Sequence, residues 1–261
     1  MRLPPHFSFH GLRAFVLALG KRMAGQEVDP VAEYRQFAAK CRENLDRSFG
    51  EHAELHGKSI ECIDALAAWV EELTSRPEHS MLEIAVRELR FGVLACAQGQ
   101  YRQAYMALRM SLELSIAAML FATREVELRE WQKGEIDIRW ATLTDPKDGV
   151  FSERLTKACS PSLAGDASQI KGIAMSAYRE CSDFVHGGAE SALKLPDALN
   201  FDAKMLQKWH GQLVTALIPI TYAMLVRYSH YRTIISTPAA ATAVRTNLAG
   251  VTSAIEVIDV E

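Results

Sequence analysis

The chain has 261 residues, 49% of them hydrophobic and 23% charged, with a net charge of −3 and eight histidines outside that sum. That is ordinary globular composition, with enough length to bury a large core. The weak negative charge excludes a surface that binds nucleic acid everywhere by charge alone, although 29 Lys and Arg leave room for a local basic cleft.

Helical periodicity dominates from one end to the other. The N-terminal stretch Ala14–Gly20 is apolar but short and leads to Lys21-Arg22, which makes a poor signal peptide. Asp29-Pro30 is a helix start, and Val31, Tyr34, Phe37, Ala38, Cys41 and Leu45 mark an apolar stripe after it. A second stripe runs through Ile63, Leu66, Val70 and Leu73 until Ser75-Arg76-Pro77 breaks it. Residues 1–80 read as an N-terminal helical extension. His52 and His56 stand four apart beside Glu51 and Glu54, a spacing that can hold a metal on one helix face. No third ligand accompanies them, so the expectation is a solvated helix and no bound metal or cofactor.

The next helix carries Leu82, Val86, Leu89, Val93 and Cys96, and ends at Gln98-Gly99-Gln100. A long one follows with Tyr101, Tyr105, Leu108, Leu112, Ile116 and Met119 as its buried face and Gly134 as its end. Arg109 and Glu113 sit four apart on it, the spacing of a helix ion pair. Residues 135–149 read as a loop anchored by Trp140, and Phe151–Ala158 as a short helix. Another helix spans Ser168 to His186, and a last one Asp202 to Arg232, kinked at Pro219. Its apolar run, Leu213–Val226, is shorter than the roughly 20 residues that cross a bilayer, so it reads as a buried core helix. Residues 234–261 turn to Ala, Thr and Ser and read as a flexible tail, disordered or docked on a partner. Trp209 and His210 belong to a bundle seam. The five cysteines are odd in number, scattered, and without a Cys-x-x-Cys pair, as reduced thiols of a cytoplasmic protein would be.

The most informative segment is Tyr178-Arg179-Glu180-Cys181-Ser182-Asp183-Phe184-Val185-His186-Gly187-Gly188. At about 100° per residue, seven residues bring a side chain back to within about 20° of its start. Arg179 and His186 therefore share a face, and Gly187-Gly188 ends the helix beneath the histidine. There the helix dipole favours an imidazolium. Asp183 can orient the imidazole or neutralise Arg179. A plain surface pair of Arg179 and Asp183 beside a capping histidine uses the same residues. Arg47 and His52 satisfy similar spacing within the extension.

An arginine followed at four to six residues by a histidine, in a small all-α antiparallel bundle, resembles the HEPN superfamily (higher eukaryotes and prokaryotes nucleotide-binding). The resemblance covers residues 81–233 and maps the motif onto Arg179 and His186. Tyr178, Ser182, Asp183, Arg109 and Glu113 are supporting candidates. In place of the polar residue usual after the arginine, this chain has Glu180, turned about 100° further round toward solvent. The resemblance implies a metal-independent endoribonuclease acting as a homodimer on RNA in antiviral defence or a toxin–antitoxin system, with a protein antitoxin or defence-complex partner and no membrane. His186 would move the proton, and Arg179 would offer its fork to the phosphate. The products would carry 2′,3′-cyclic phosphate and 5′-hydroxyl ends. The alternative is an inactive fold of the same type that binds a protein partner.

Overall fold

The computed structural model describes residues 31–186, 195 and 199–259. Among them there are only helices: α1 (Ala32–Glu51), α2 (Ala53–Glu71), α3 (His79–Ala97), α4 (Tyr101–Phe121), α5 (Glu125–Gln132), α6 (Trp140–Leu143), α7 (Glu153–Cys159), a 3₁₀ turn (Pro161–Leu163), α8 (Ala167–His186), α9 (Ala203–Tyr228), α10 (Arg232–Ile235), α11 (Pro238–Asn247) and α12 (Thr252–Asp259). The all-α expectation is met.

The bundle is built around α4. Tyr105, Leu108, Leu112, Ile116, Ala117, Ala118 and Leu120 are completely buried, and α3, α8 and α9 all pack against this helix. Only three residues join α3 to α4, so the two lie antiparallel along their length. Gly99 makes that turn in the left-handed region at φ +79°. Gln100 N–H bonds back to the Ala95 carbonyl at 2.8 Å, closing the helix end. The expected single helix through to Gly134 is in fact two. It stops at Phe121, where the Thr123 hydroxyl turns back to the Leu120 carbonyl at 2.7 Å, and Arg124 leaves helical geometry at φ −140°, ψ 76°. Gly134, at φ +73°, ends α5 instead.

α9 runs through Pro219. The missing N–H leaves the Thr215 carbonyl without its usual helical partner. Leu213, Leu217, Ile220, Tyr222, Met224 and Leu225 are all fully buried. By length and composition alone α4 and α9 could cross a membrane, yet 78% of each apolar window lies inside the fold. They are the core helices.

Two expectations are corrected. The early stripe on α1 does not meet the core. Val31 is 50% and Tyr34 70% exposed, and the buried residues of that helix are polar, Asn44 and Ser48. The Asn44 amide reaches the carbonyls of Gln98 and Leu199, each at 3.1 Å. The segment read as a flexible tail is helical and packed. Thr237 caps α11 by accepting from Ala240 N–H at 3.1 Å, with Pro238 in the first turn. Ala240, Ala243 and Val244 are fully buried, and α11 lies on α2 and α9. Asn247 fastens it to the Cys62 carbonyl and the Thr221 hydroxyl at 3.3 and 3.2 Å. Thr252–Asp259 of the same segment form α12, and its Ser253 hydroxyl bonds to Asp166. Residues 53–73 join the same core through Ile63, Leu66, Trp69 and Leu73; residues 1–30 lie outside the described ones.

Gly92 on α3 exists because Trp209 of α9 comes too close for a side chain. A Cβ there would sit 2.8 Å from the indole ring, and that ring is itself fully buried. Gly92→Val is expected to lower the unfolding free energy by about 1–3 kcal/mol through overpacking, read from urea unfolding followed by tryptophan fluorescence.

Candidate functional site

The register of α8 decides which side chains reach the surface. Ile170, Ala174, Ala177, Cys181 and Phe184 are buried, at alternating spacings of four and three that make one stripe against α4 and α9. Phe184 fixes the C-terminal end by stacking on Tyr105 of α4, centroids 4.0 Å apart and rings 7° from parallel. Burial pushes the Cys181 thiol up to about 12, so it is an inert core residue. Tyr178 and Glu180 project about 80° to either side of the stripe, while Arg179 and His186 point almost directly away from it.

The two flanks face different neighbours. Glu180 does not enter open solvent as expected. It turns to α9, where Lys208 Nζ stands 2.7 Å from its carboxylate; the same ammonium lies 5.2 Å from the centre of the Phe184 ring. Tyr178 turns to α4 and meets Arg109. The guanidinium donates from Nη2 to the Tyr178 hydroxyl at 2.6 Å, and from Nε and Nη2 to Glu113 Oε1, both at 3.2 Å. Its Nη1 lies 2.8 Å from His186 Nε2. Arginine can only donate. Nε2 therefore accepts, and in this arrangement His186 is the neutral tautomer with its proton on Nδ1.

Four of the seven sequence candidates thus come together: Arg109 and Glu113 from α4, Tyr178 and His186 from α8. The other three do not. Arg179 and Asp183 are exposed and form no ion pair with each other. Ser182 spends its hydroxyl on the Tyr178 carbonyl at 2.8 Å, within its own helix. Arg179 and His186 do share an outer face, about 10 Å apart along the axis. The arginine touching the imidazole, however, comes from the other helix. Gly187 and Gly188 lie outside the described residues.

Trp140 completes the site, and the sequence marked it only as a loop anchor. From α6 it stacks on Tyr178 at 4.1 Å, rings 3° from parallel, and its indole N–H points to Met175 Sδ at 3.3 Å. The Arg109 guanidinium lies 4.8 Å from the centre of the Tyr178 ring. Burial, then a hydrogen bond to Glu113, raises the Tyr178 phenol above its usual value, while Arg109 opposes. The phenol therefore stays protonated, accepting from Arg109 and directing its own hydrogen toward Glu113. The cluster thus holds one guanidinium between a carboxylate, a stacked aromatic pair and an exposed imidazole.

The second histidine set is structural. His56 is buried rather than solvated, its Nε2 2.7 Å from the Ser48 hydroxyl. It meets His210 edge to face at 4.6 Å, and His210 Nδ1 is 2.6 Å from the Ser59 hydroxyl. Trp209 and His210 lie in a bundle seam, as expected. Among the described residues no three His, Cys, Asp or Glu side chains gather as a metal site. Compared with known protein families, curated proteins and solved structures, the chain matches none.

Burial, and secondarily the neighbouring His56, pulls His210 down from its ordinary 6.5 to about 3. The unfolded chain therefore takes up a proton below pH 6.5 that the fold refuses. Stability contributed by neutral His210 is complete above that pH and is lost as pH falls toward 3, by about 1.4 kcal/mol per pH unit. His210→Gln is expected to flatten the pH dependence of unfolding between pH 6 and 4 by about one proton, measured as urea-unfolding free energies across that range.

Proposed function

We propose that the chain is a metal-independent endoribonuclease of HEPN type, cytoplasmic and dimeric, serving antiviral defence or a toxin–antitoxin pair. The observation carrying this reading is the exposed imidazole of His186, held at the end of a bundle helix against a guanidinium. Cleavage of RNA without a metal needs a group that passes a proton and a cation that meets the charge gathering on phosphorus. His186 takes the proton of the 2′-hydroxyl or supplies one to the departing 5′-oxygen. The ends left are a 2′,3′-cyclic phosphate and a 5′-hydroxyl. A strand lacking the 2′-hydroxyl has no internal nucleophile and is not cut. Arg179, the arginine of the resembled motif, faces the same side and draws the strand in by charge.

Glu180 is compatible with this chemistry because Lys208 holds it on the α9 flank. A carboxylate on the outer face would have repelled phosphate. A second reading, the same fold as a non-catalytic scaffold, is favoured by a different observation. Met106 and Met110, on either side of Arg109 along the wet face of α4, are 48% and 44% exposed. Adaptable thioethers on a surface suit a protein partner. Under that reading Arg109 and His186 only tie two helices together.

Purified protein is expected to cut single-stranded RNA in excess EDTA, and His186→Ala to lower the rate by at least about 100-fold, in keeping with loss of a proton-transfer group. Fragments whose 3′ ends resist ligation until the cyclic phosphate is opened and the phosphate removed, and whose 5′ ends need phosphorylation, would accompany the activity. Intact RNA with the wild-type protein, or undiminished cutting by His186→Ala, would leave the scaffold reading standing.

A further inference from the structure

Arg109 holds an unusual set of partners for a surface arginine. The Nε/Nη2 edge of its fork is fixed on Glu113, and Nη2 also serves Tyr178. The side chain is 18% exposed. The remaining end, Nη1, has one donor on the neutral His186 imidazole and a second donor with no partner among the described residues. One edge is anchored, and the other is spent on a weak, replaceable acceptor at the surface.

We propose that Arg109, together with the Tyr178 hydroxyl and His186, forms a phosphate-binding site, and that an arriving phosphodiester takes the Nη1 donor from the imidazole and so uncovers Nε2. The role given to the freed nitrogen rests on the nuclease reading; the binding does not. Three points of geometry carry the assignment. The phosphate oxygen is anionic where the imidazole nitrogen is neutral, so opposite charge adds to the hydrogen bond and the exchange runs toward phosphate. Glu113 keeps the fork oriented, so little side-chain freedom is lost on binding. Tyr178 is held flat by Trp140, which leaves its hydroxyl beside the same nitrogen. Arg179 offers none of this. It stands outward on α8 with no partner among the described residues to orient it, and is suited to attraction at a distance rather than to a fixed contact.

The proposal also gives the contact between Arg109 and His186 a consequence. While it lasts, the lone pair on Nε2 is covered and the imidazole is idle. Phosphate arrival and release of the base become one event. A strand that places no phosphate at Arg109 leaves His186 capped.

The test uses the full chain labelled with ¹⁵N-histidine and inorganic phosphate as the probe, at constant ionic strength set with chloride. Saturable phosphate binding by calorimetry is expected, with a change in the His186 Nε2 resonance following the same curve. Arg109→Ala should weaken binding by about tenfold or more, the worth of one charge-assisted hydrogen bond. Arg109→Lys should weaken it nearly as much, since it keeps the charge but loses the fork. Arg179→Ala should change it by less than about threefold, as an exposed charge in high dielectric does. Circular dichroism melts confirm that each variant is folded. Equal binding by wild type and Arg109→Lys, or binding that leaves the His186 resonance unmoved, overturns the proposal. RNA cleavage is read in parallel to separate the two claims. Arg109-dependent phosphate binding with intact RNA sinks the nuclease reading alone. Cleavage that survives Arg109→Lys and dies with Arg179→Ala sinks this proposal alone.

Discussion

Everything in this molecule is arranged around the burial of α4. The apolar side chains of that helix leave only a narrow strip for water, running through Arg102, Met106, Arg109, Met110 and Glu113. A charged group on such a strip is close to a low-dielectric interior and must find partners. Arg109 finds them on two helices, and in doing so fixes how α8 lies against α4. The candidate site is thus a by-product of core packing in the first instance. Its side chains are positioned by Phe184 stacking on Tyr105 and by the small residues Ala174 and Ala177, which let α8 approach. A site on two packed helices is also stiffer than one built on loops.

A second polar layer plays the corresponding part on the far side of the bundle. Ser48, His56, Ser59 and His210 sit at the contact of α1, α2 and α9, and the Asn44 amide bridges to carbonyls on either side of it. Apolar packing alone would let the α1–α2 hairpin slide along its neighbours. These hydrogen bonds favour one register, because a shift would break them and add to the buried nitrogens, His56 Nδ1 and His210 Nε2, that already lack a partner among the described residues. The arrangement also accounts for the polar buried face of α1, whose apolar residues lie exposed on its first turns.

Much of this was legible in the sequence, for a physical reason. Stripes such as Ile63–Leu66–Val70 and Leu82–Val86–Leu89–Val93 are strong because large apolar residues alternate with charged ones; they gave α3, α8 and α9 nearly to their ends, and the presence of α2 and α4 without all of their bounds. The C-terminal helices were not legible because α11 buries alanine. Alanine is small enough to let α2 and α9 come close, yet it contributes little contrast between a wet and a dry face. Thr237 and Pro238, which start α11, stand in a stretch whose Ala, Thr and Ser composition is that of a loop. The break after Phe121 was missed because it depends on a Thr123 side-chain bond that periodicity does not register. At the site, sequence spacing found His186 and its helix face. It could relate His186 only to residues of the same helix, which is why Arg179 stood out. The Arg109–His186 contact joins residues 77 apart in the chain, and only the packing of α4 on α8 creates it. Trp140 was hidden for the same reason.

The charge balance around His186 follows from these contacts. Arg109, Arg179 and Lys208 contribute three positive groups near the exposed end of α8, and Glu113, Glu180 and Asp183 three negative ones. The pairs Arg109–Glu113 and Lys208–Glu180 cancel at contact distance, while Arg179 and Asp183 remain exposed and screened by salt. The face is therefore close to neutral, in keeping with the weak negative charge of the whole chain. What ties this balanced face to the core is the one hydrogen bond from Arg109 to His186, which joins the end of α8 to the middle of α4. A contact of that kind fixes where the imidazole stands without adding net charge to the surface around it.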